Sequence, residues 1–145
     1  MTGKPRVLVV DDYPDGREML SEYLKYLEFP VIDARDGQEA MALAASWSPD
    51  IILMDLQMPG LDGWEVTRRL KADAGTKHIL VIALTAHALT REVQAARDAG
   101  CDAVVPKPYA LALLADALAQ TPHLGPAAFE VPGLGGSTSA VATPL

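Results

Sequence analysis

Short apolar runs alternate with longer segments of helical periodicity, and this alternation repeats five times between Arg6 and about Gln120. The runs predicted as strands are Arg6–Val10, Val31–Ala34, Asp50–Met54, Ile79–Leu84 and Ala103–Val105. They are apolar on both alternating faces, which is typical of a parallel sheet covered by helices on both sides. The pattern therefore predicts an α/β fold, a doubly wound (βα)5 domain with right-handed crossovers.

Capping residues indicate where several of the predicted helices begin and end. Asp36 is followed three residues later by Glu39, and Asp62 and Glu65 repeat this spacing. Such a pair is typical of a helix start, because the first side chain accepts from free backbone N–H groups and the second bonds back. Gly100 stands where the fourth helix is expected to stop.

The chain length and a change of composition define the expected domain organisation. The 145 residues, half of them apolar, suffice for one domain with a substantial core. After Gln120 the sequence is dominated by Pro, Gly, Ala, Ser and Thr, and Glu130 is its only formal charge. We expect a domain over 1–120 and a flexible tail over 121–145, too short for a second domain. A tail that docks through large apolar residues such as Phe129 is the alternative.

The charge balance and the single cysteine exclude several classes of protein. With 12 basic and 19 acidic residues, the formal net charge of −7 disfavours binding to nucleic acid. No run approaches the roughly 18 to 20 apolar residues that a membrane helix needs. Cys101 has no partner for an internal disulfide, and we expect it to be a small core residue. We expect a cytoplasmic protein without a membrane or nucleic-acid partner.

Three carboxylates follow two of the predicted strands. Asp11 and Asp12 come after the first strand, and Asp55 follows the third. A lone Asp after a strand is usually a helix cap or a turn residue. Here the carboxyl ends of parallel strands meet at one edge, where each ionised pair about 5 Å apart repels by roughly 3 kcal/mol. A hard divalent cation such as Mg²⁺ removes that repulsion, so we expect a metal site at this edge.

Two further polar residues follow the fourth and fifth strands. Thr85 and Lys107 are expected at the same edge as the carboxylates. Taken singly, a Thr in this position is usually a cap and a Lys a surface cation. Together with the acids they supply a nucleophile, a hydroxyl donor and a cation, which are the groups that phosphoryl transfer to a carboxylate requires.

These motifs together resemble the response-regulator receiver family. The resemblance is carried by Asp11-Asp12, by Asp55-Leu56-Gln57-Met58-Pro59-Gly60-Leu61-Asp62-Gly63, by Ala83-Leu84-Thr85-Ala86 and by Lys107-Pro108. It covers about residues 4 to 120, and four separate motifs agree in spacing with the predicted fold. It implies a flavodoxin-like sheet with strand order 2-1-3-4-5 and a bacterial two-component protein of the chemotaxis-regulator-like, single-domain type, without an output domain.

The resemblance also implies a role for each acid. Asp55 would accept a phosphoryl group from a partner's phosphohistidine. Asp12 and Asp55 would bind Mg²⁺, or Mn²⁺ in its place, together with the backbone carbonyl of Gln57. Asp11 would help to bind the metal directly or through water.

For the remaining site residues the resemblance implies phosphoryl-binding and tuning roles. Lys107 would pair with the phosphoryl group, Thr85 would be the switch hydroxyl, and Ala86 is small enough to leave room for the group. The side chains of Gln57 and His87 occupy positions that tune how long the aspartyl phosphate survives. For His87 an ordinary loop residue is the alternative.

Strand five shows one departure from the family pattern. Three residues before Lys107 the family usually has Tyr or Phe, which swings inward when the Thr moves, but here the residue is Val104. Coupling would then use backbone or loop shifts, or Tyr109, or be weaker. The family also often joins the residues at Lys107-Pro108 by a cis peptide bond.

The implied partners are a histidine kinase or a histidine phosphotransfer protein, and a downstream protein target. Tyr13, Pro14 and Arg17 lie where a receiver meets the histidine-bearing helix of its donor. The last helix, predicted over Tyr109–Gln120, has apolar residues on more than one face. It is either an Ala-rich surface helix or, with helix four, the face of a weak dimer of an otherwise monomeric protein.

Two other functions compete with a phosphorylatable regulator, which would catalyse only its own phosphorylation and dephosphorylation. The first is a phosphatase of the haloacid-dehalogenase class, which expects Asp-x-Asp after its first strand, whereas Asp11 and Asp12 are adjacent. The second is a receiver-like interaction module that is never phosphorylated. Such modules usually lack one or more of the five key residues, and this chain has all five.

Overall fold

The structure is a computed structural model that describes residues 4–56, 63–85 and 90–129, apart from the side chains of Thr90 and Glu92. The strands are β1 Val7–Val10, β2 Val31–Ala34, β3 Ile51–Asp55, β4 Leu80–Thr85 and β5 Ala103–Pro106. The α-helices are α1 Pro14–Tyr26, α2 Gly37–Trp47, α3 Gly63–Ala72, α4 Thr90–Ala99 and α5 Leu111–Leu124, and a 3₁₀ helix follows over Gly125–Phe129.

The five strands form one parallel sheet in the order β2-β1-β3-β4-β5. This confirms the predicted fold class and strand order. The strand positions differ from the prediction by one residue at most at each end, and β3 and β4 include Asp55 and Thr85 as their last residues. Both of these polar residues are therefore held by the sheet itself.

Helices cover both faces of the sheet, and each face has its own apolar core. One core joins alternate strand residues such as Val9 and Leu53 to α1 and α5. The other joins the intervening residues, such as Leu8 and Met54, to α2, α3 and α4. This division explains why the strand residues are apolar at every position. Cys101 is buried in the second core, where burial raises the pKa of its thiol to about 11, as suits a core residue.

Local capping positions the helices as expected where the structure describes them. The Asp36 side chain accepts from the Glu39 N–H at 2.8 Å, and the Glu39 carboxylate accepts from the Arg35 N–H at 2.8 Å. Helix α4 ends at Gly100, whose φ of +101° is favourable only for glycine. The predicted cap at Asp62 lies outside the described residues.

The last helix continues past the domain boundary predicted at residue 120. Helix α5 runs to Leu124, and the 3₁₀ helix then turns the chain back so that Phe129 is fully buried in the core beside α1 and α5. Residues 121–129 therefore pack on the domain instead of forming a flexible tail, because the apolar area of Phe129 is removed from water. Residues 130–145 lie outside the described part of the chain.

We predict that Phe129 stabilises the domain. Phe129→Ala should lower the free energy of unfolding by about 3–5 kcal/mol, since it leaves a cavity in a packed core. The matched control is Leu124→Ala in the same segment, where the side chain is half-exposed and the loss should be under about 1 kcal/mol. Urea unfolding followed by circular dichroism measures both values, and equal unfolding midpoints for the two variants would contradict the packing role of Phe129.

Candidate functional site

Three carboxylates meet at the carboxyl edge of the sheet. Asp55 is the last residue of β3, and Asp11 and Asp12 follow β1, which pairs with β3 so that Val10 lies opposite Met54. One carboxylate oxygen from each of the three acids lies within 4.8 Å of the others. Clustered carboxylate oxygens are the ligands that a hard divalent cation prefers. The structure thus brings together the three acids that the sequence assigned to a metal site.

The segment between β1 and α1 is held by several hydrogen bonds around Asp11. The Asp11 N–H donates to the Ala34 carbonyl at 3.1 Å. Its carboxylate accepts from the Tyr13 N–H at 2.9 Å, and its carbonyl accepts from Arg17 Nη1 at 2.9 Å. The backbone on both sides of the Asp11 side chain is therefore anchored.

Lys107 brings a positive charge to the deepest of the acids. Asp55 is only 5% exposed, and Lys107 Nζ lies 3.5 Å from its Oδ2 atom. Lys107 is placed there by β5, because Pro106 lies opposite Thr85 at the end of β4 and the Lys107 N–H donates to the Thr85 carbonyl at 2.7 Å. The peptide bond between Lys107 and Pro108 is cis. Asp55 and Thr85 thus end two adjacent strands, and Lys107 directly follows the next one at the same edge.

The electrostatics of the site favour added positive charge. Burial raises the pKa of the Asp11 carboxyl to about 6; the Tyr13 N–H opposes this shift and the nearby Asp55 carboxylate adds to it. Burial and the negative charges of Asp11 and Asp55 also raise the pKa of the Tyr109 hydroxyl to about 12. Burial is the main cause of both shifts, and the neighbouring carboxylates add to it; a divalent cation would offset this part of the shifts.

Two glycines allow the helices to approach the acids closely. A Cβ atom on Gly63, at the start of α3, would lie 2.8 Å from Leu56 Cδ2 and 3.2 Å from the Asp55 carbonyl oxygen. A Cβ atom on Gly16 in α1 would lie 3.1 Å from Asp11 Oδ2. No pattern in the sequence indicates that these two positions need glycine, because the separation between a helix and a strand end is a tertiary property.

A cavity of about 480 Å³ borders Asp11 and Lys107. It is lined by Asp11, Gly16, Met19, Lys107, Pro108, Tyr109 and Leu111. Asp11 and Lys107 thus form part of the cavity wall. The cavity is large enough for a phosphoryl group and the side chain that carries it. A second cavity of about 380 Å³, lined by residues that include Asp50 and Leu80, lies at the opposite edge of the sheet.

Some of the predicted site residues are outside the cluster or outside the described part of the chain. Gln57, Ala86 and His87 lie outside the described residues. Val104 is buried in the core beside α2, α3 and α4, so a small aliphatic side chain stands at the position of the family's aromatic residue. Tyr109 instead lines the cavity beside the acids.

The fold and the edge residues define a class of protein: a doubly wound α/β domain whose ligand site lies at the carboxyl ends of the strands. The family model for the response regulator receiver domain matches residues 7–119. The chain belongs to this family, as its motifs indicated. Receiver domains are signalling domains of bacterial two-component systems and not classical enzymes, and they bind Mg²⁺ at an acidic site.

Several relatives are similar over most of the chain. The polar-differentiation response regulator DivK of Brucella ovis is 37% identical over 105 residues, which cover 72% of this chain and 85% of DivK. DivK of Brucella abortus has the same identity and coverage.

Solved structures confirm the fold. Chemotaxis protein CheY4 of Vibrio cholerae superposes with a TM-score of 0.73 at 28% identity, over 77% of this chain and 93% of that one. The receiver domain of a Pseudomonas aeruginosa sensor histidine kinase, which has a magnesium ion coordinated in its active site cleft, also gives 0.73. It is 32% identical, over 80% of this chain and 95% of that one. Within the described residues, no helix is both long and apolar enough to cross a membrane.

The pKa of Asp11 predicts a pH dependence of the metal-free protein. Because this pKa is raised from 3.8 to about 6, the folded state binds the proton more tightly than the unfolded chain. The free energy of unfolding should therefore fall as pH rises through this range. In EDTA, Asp11→Asn should stabilise the protein at about pH 7 but not at about pH 4, where the Asp11 carboxyl is already largely protonated in the folded protein.

Thermal unfolding at the two pH values measures this difference. The control is Asp116→Asn, which removes an exposed carboxylate from α5. An Asp11→Asn variant that is equally or less stable than wild type at neutral pH would contradict the raised pKa of Asp11.

Proposed function

We propose that the chain is a cytoplasmic, single-domain response regulator of a phosphorelay, in which Asp55 accepts a phosphoryl group from a partner's phosphohistidine. The observation that carries this proposal is the surroundings of Asp55. Its carboxylate is buried at the end of β3, clusters with two further carboxylates, and lies 3.5 Å from Lys107 Nζ. A buried carboxylate among groups that neutralise phosphoryl oxygens is suited to act as the nucleophile.

The proposed step forms one bond and breaks another. An Asp55 carboxylate oxygen bonds to phosphorus while the phosphorus–nitrogen bond to the donor's imidazole breaks and its electron pair stays on that nitrogen. Lys107 would neutralise an equatorial phosphoryl oxygen, and the Thr85 hydroxyl would donate to another. The resemblance further predicts that the small Ala86 side chain leaves room for the phosphoryl group and that Gln57 and His87 tune its lifetime.

The residues at the edge suit Mg²⁺, with Mn²⁺ as a substitute. Asp11, Asp12 and Asp55 would hold the ion through carboxylate oxygens, and the Gln57 carbonyl is the fourth proposed protein ligand. Support comes from the convergence of the three carboxylates, and the pKa of Asp11, raised mainly by burial and further by the Asp55 carboxylate, is consistent with it. When bound, the ion would neutralise the carboxylates and the developing charge on the phosphoryl group.

The proposed donor, a histidine kinase or a histidine phosphotransfer protein, would dock beside the cavity. Tyr13, just before α1, is 61% exposed, and Met19 in α1 is 56% exposed. Met19 lines the cavity together with Pro108 and Leu111. Exposed large apolar groups around a reactive centre favour a protein partner. A downstream protein target is proposed because the chain belongs to the receiver family.

Helix α5 offers less free apolar surface than its sequence indicated. Leu114 and Leu118 are buried, and Leu111 and Leu113 pack against the same core. The weak dimer through α4 and α5 remains a prediction, and the apolar residues of α5 are largely used within the domain.

Phosphorylation of Asp55 is tested with a small-molecule phosphodonor such as acetyl phosphate and Mg²⁺. Intact mass should show one phosphoryl adduct on the wild type and none on Asp55→Asn. Asp36→Asn, at the cap of α2, is the control that should still be labelled. Absence of any adduct would favour the phosphorylation-independent interaction module, and an adduct that persists in Asp55→Asn would place the acceptor elsewhere.

Binding of Mg²⁺ should stabilise the folded protein, because the ion binds the assembled acids and not the unfolded chain. We expect millimolar Mg²⁺ to raise the melting temperature of the wild type and to leave that of the Asp11→Asn, Asp12→Asn double variant unchanged. Asp116→Asn should respond as the wild type does. A wild-type melting curve that is indifferent to Mg²⁺ would rule out the proposed metal site.

A further inference from the structure

Arg17 makes two contacts that link α1 to the acidic edge. Its Nη1 atom donates to the Asp11 carbonyl at 2.9 Å, and its Nε atom lies 3.5 Å from Asp33 Oδ2 on β2. The Arg17 side chain is only 16% exposed, whereas that of Asp33 is 42% exposed. The hydrogen bond and the ion pair use separate nitrogens of the planar guanidinium, so together they restrict the orientation of the Arg17 side chain.

The contact with Asp11 bears on the shape of the whole acid cluster. Asp11 and Asp12 lie on a short segment that leaves the sheet, while Asp55 belongs to a strand. At about 5 Å, each ionised pair repels by roughly 3 kcal/mol at an effective dielectric near 20, so the repulsion acts to move this segment outward. The hydrogen bond from Arg17 opposes that movement at the residue where the segment begins.

We propose that Arg17 is a positioning residue for the divalent-cation site: its guanidinium holds the Asp11 carbonyl so that the three carboxylates stay converged before the cation binds. The inference rests on the proposed Mg²⁺ site and adds a residue that does not contact the ion. Groups that orient metal ligands typically change metal affinity by about 10–100-fold when removed.

The sign of the effect separates positioning from a simple charge effect. Arg17 carries a positive charge near the acids, so removing that charge alone should strengthen the binding of Mg²⁺. Removing a positioning hydrogen bond should weaken the binding of Mg²⁺. Part of the binding free energy is then used to bring the segment of Asp11 and Asp12 back toward Asp55. Arg17→Met keeps most of the apolar stem and removes every donor, whereas Arg17→Gln is also uncharged but keeps an N–H donor.

The experiment measures the dissociation constant of Mg²⁺ alone by isothermal titration calorimetry on the full chain. We expect Arg17→Met to weaken binding about tenfold, and Arg17→Gln to stay within about threefold of wild type. Lys25→Met is the matched control, since it makes the same charge change in an exposed residue at the far end of α1. Thermal unfolding in EDTA verifies that each variant is folded.

Phosphorylation kinetics give a second readout that a general loss of stability would not produce. In Arg17→Met the Mg²⁺ concentration for half-maximal phosphorylation by acetyl phosphate should rise by the same factor as the dissociation constant. The rate at saturating Mg²⁺ should remain near that of the wild type, because Asp55, Thr85 and Lys107 are unchanged.

Several outcomes would overturn the inference. If Arg17→Met binds Mg²⁺ as tightly as the wild type or more tightly, or if Lys25→Met weakens binding equally, Arg17 does not position the site. Should Arg17→Met fail to fold, Arg17→Leu decides: it also removes the charge and every side-chain donor, so binding equal to or tighter than that of the wild type refutes the role. A wild type that binds no Mg²⁺ refutes the proposed function as well, whereas a normal wild type with unaffected variants refutes only this inference.

Discussion

The pairing of β3 with β1 and β4 determines where the groups of the site lie. Because the three strands are parallel and in register, the residues that end them arrive at one edge at the same height. The apolar residues of β3 are buried on both faces of the sheet. This burial holds Asp55 at the end of the strand, where it is only 5% exposed to solvent. The carboxylates of Asp11 and Asp12 and the ammonium group of Lys107 lie around that carboxylate.

The site concentrates negative charge, and the surrounding structure is organised to retain it there. Lys107 balances part of the charge of Asp55, and the N–H of Tyr13 bonds the Asp11 carboxylate. The pKa of Asp11 is raised mainly by burial, and the negative charge of Asp55 adds to this shift. A site with clustered negative charge and anchored oxygen ligands is suited to a divalent cation. Without the cation, the clustered charge lowers the stability of the folded protein.

The segment after residue 120 extends the domain beyond the part that the family model matches. The match ends at residue 119, yet helix α5 continues to Leu124 and Phe129 is fully buried. The folded unit of this chain therefore includes residues 121–129, and a unit cut at the family boundary would lose part of its core. The composition of this segment indicated a tail because its small residues and prolines outnumber the few large apolar ones that do the packing.

The sequence by itself determined the fold class, the approximate strand positions and the identity of Asp11, Asp12, Asp55, Thr85 and Lys107 as edge residues. It could do so because strand periodicity and the residue that ends each strand are local properties, and the parallel arrangement then brings the ends together. Only the tertiary structure decided the contact of Arg17 with Asp11, the close approach that requires glycine at Gly63, and the burial of Phe129. Each of these depends on the distance between elements far apart in the chain, which no local pattern encodes.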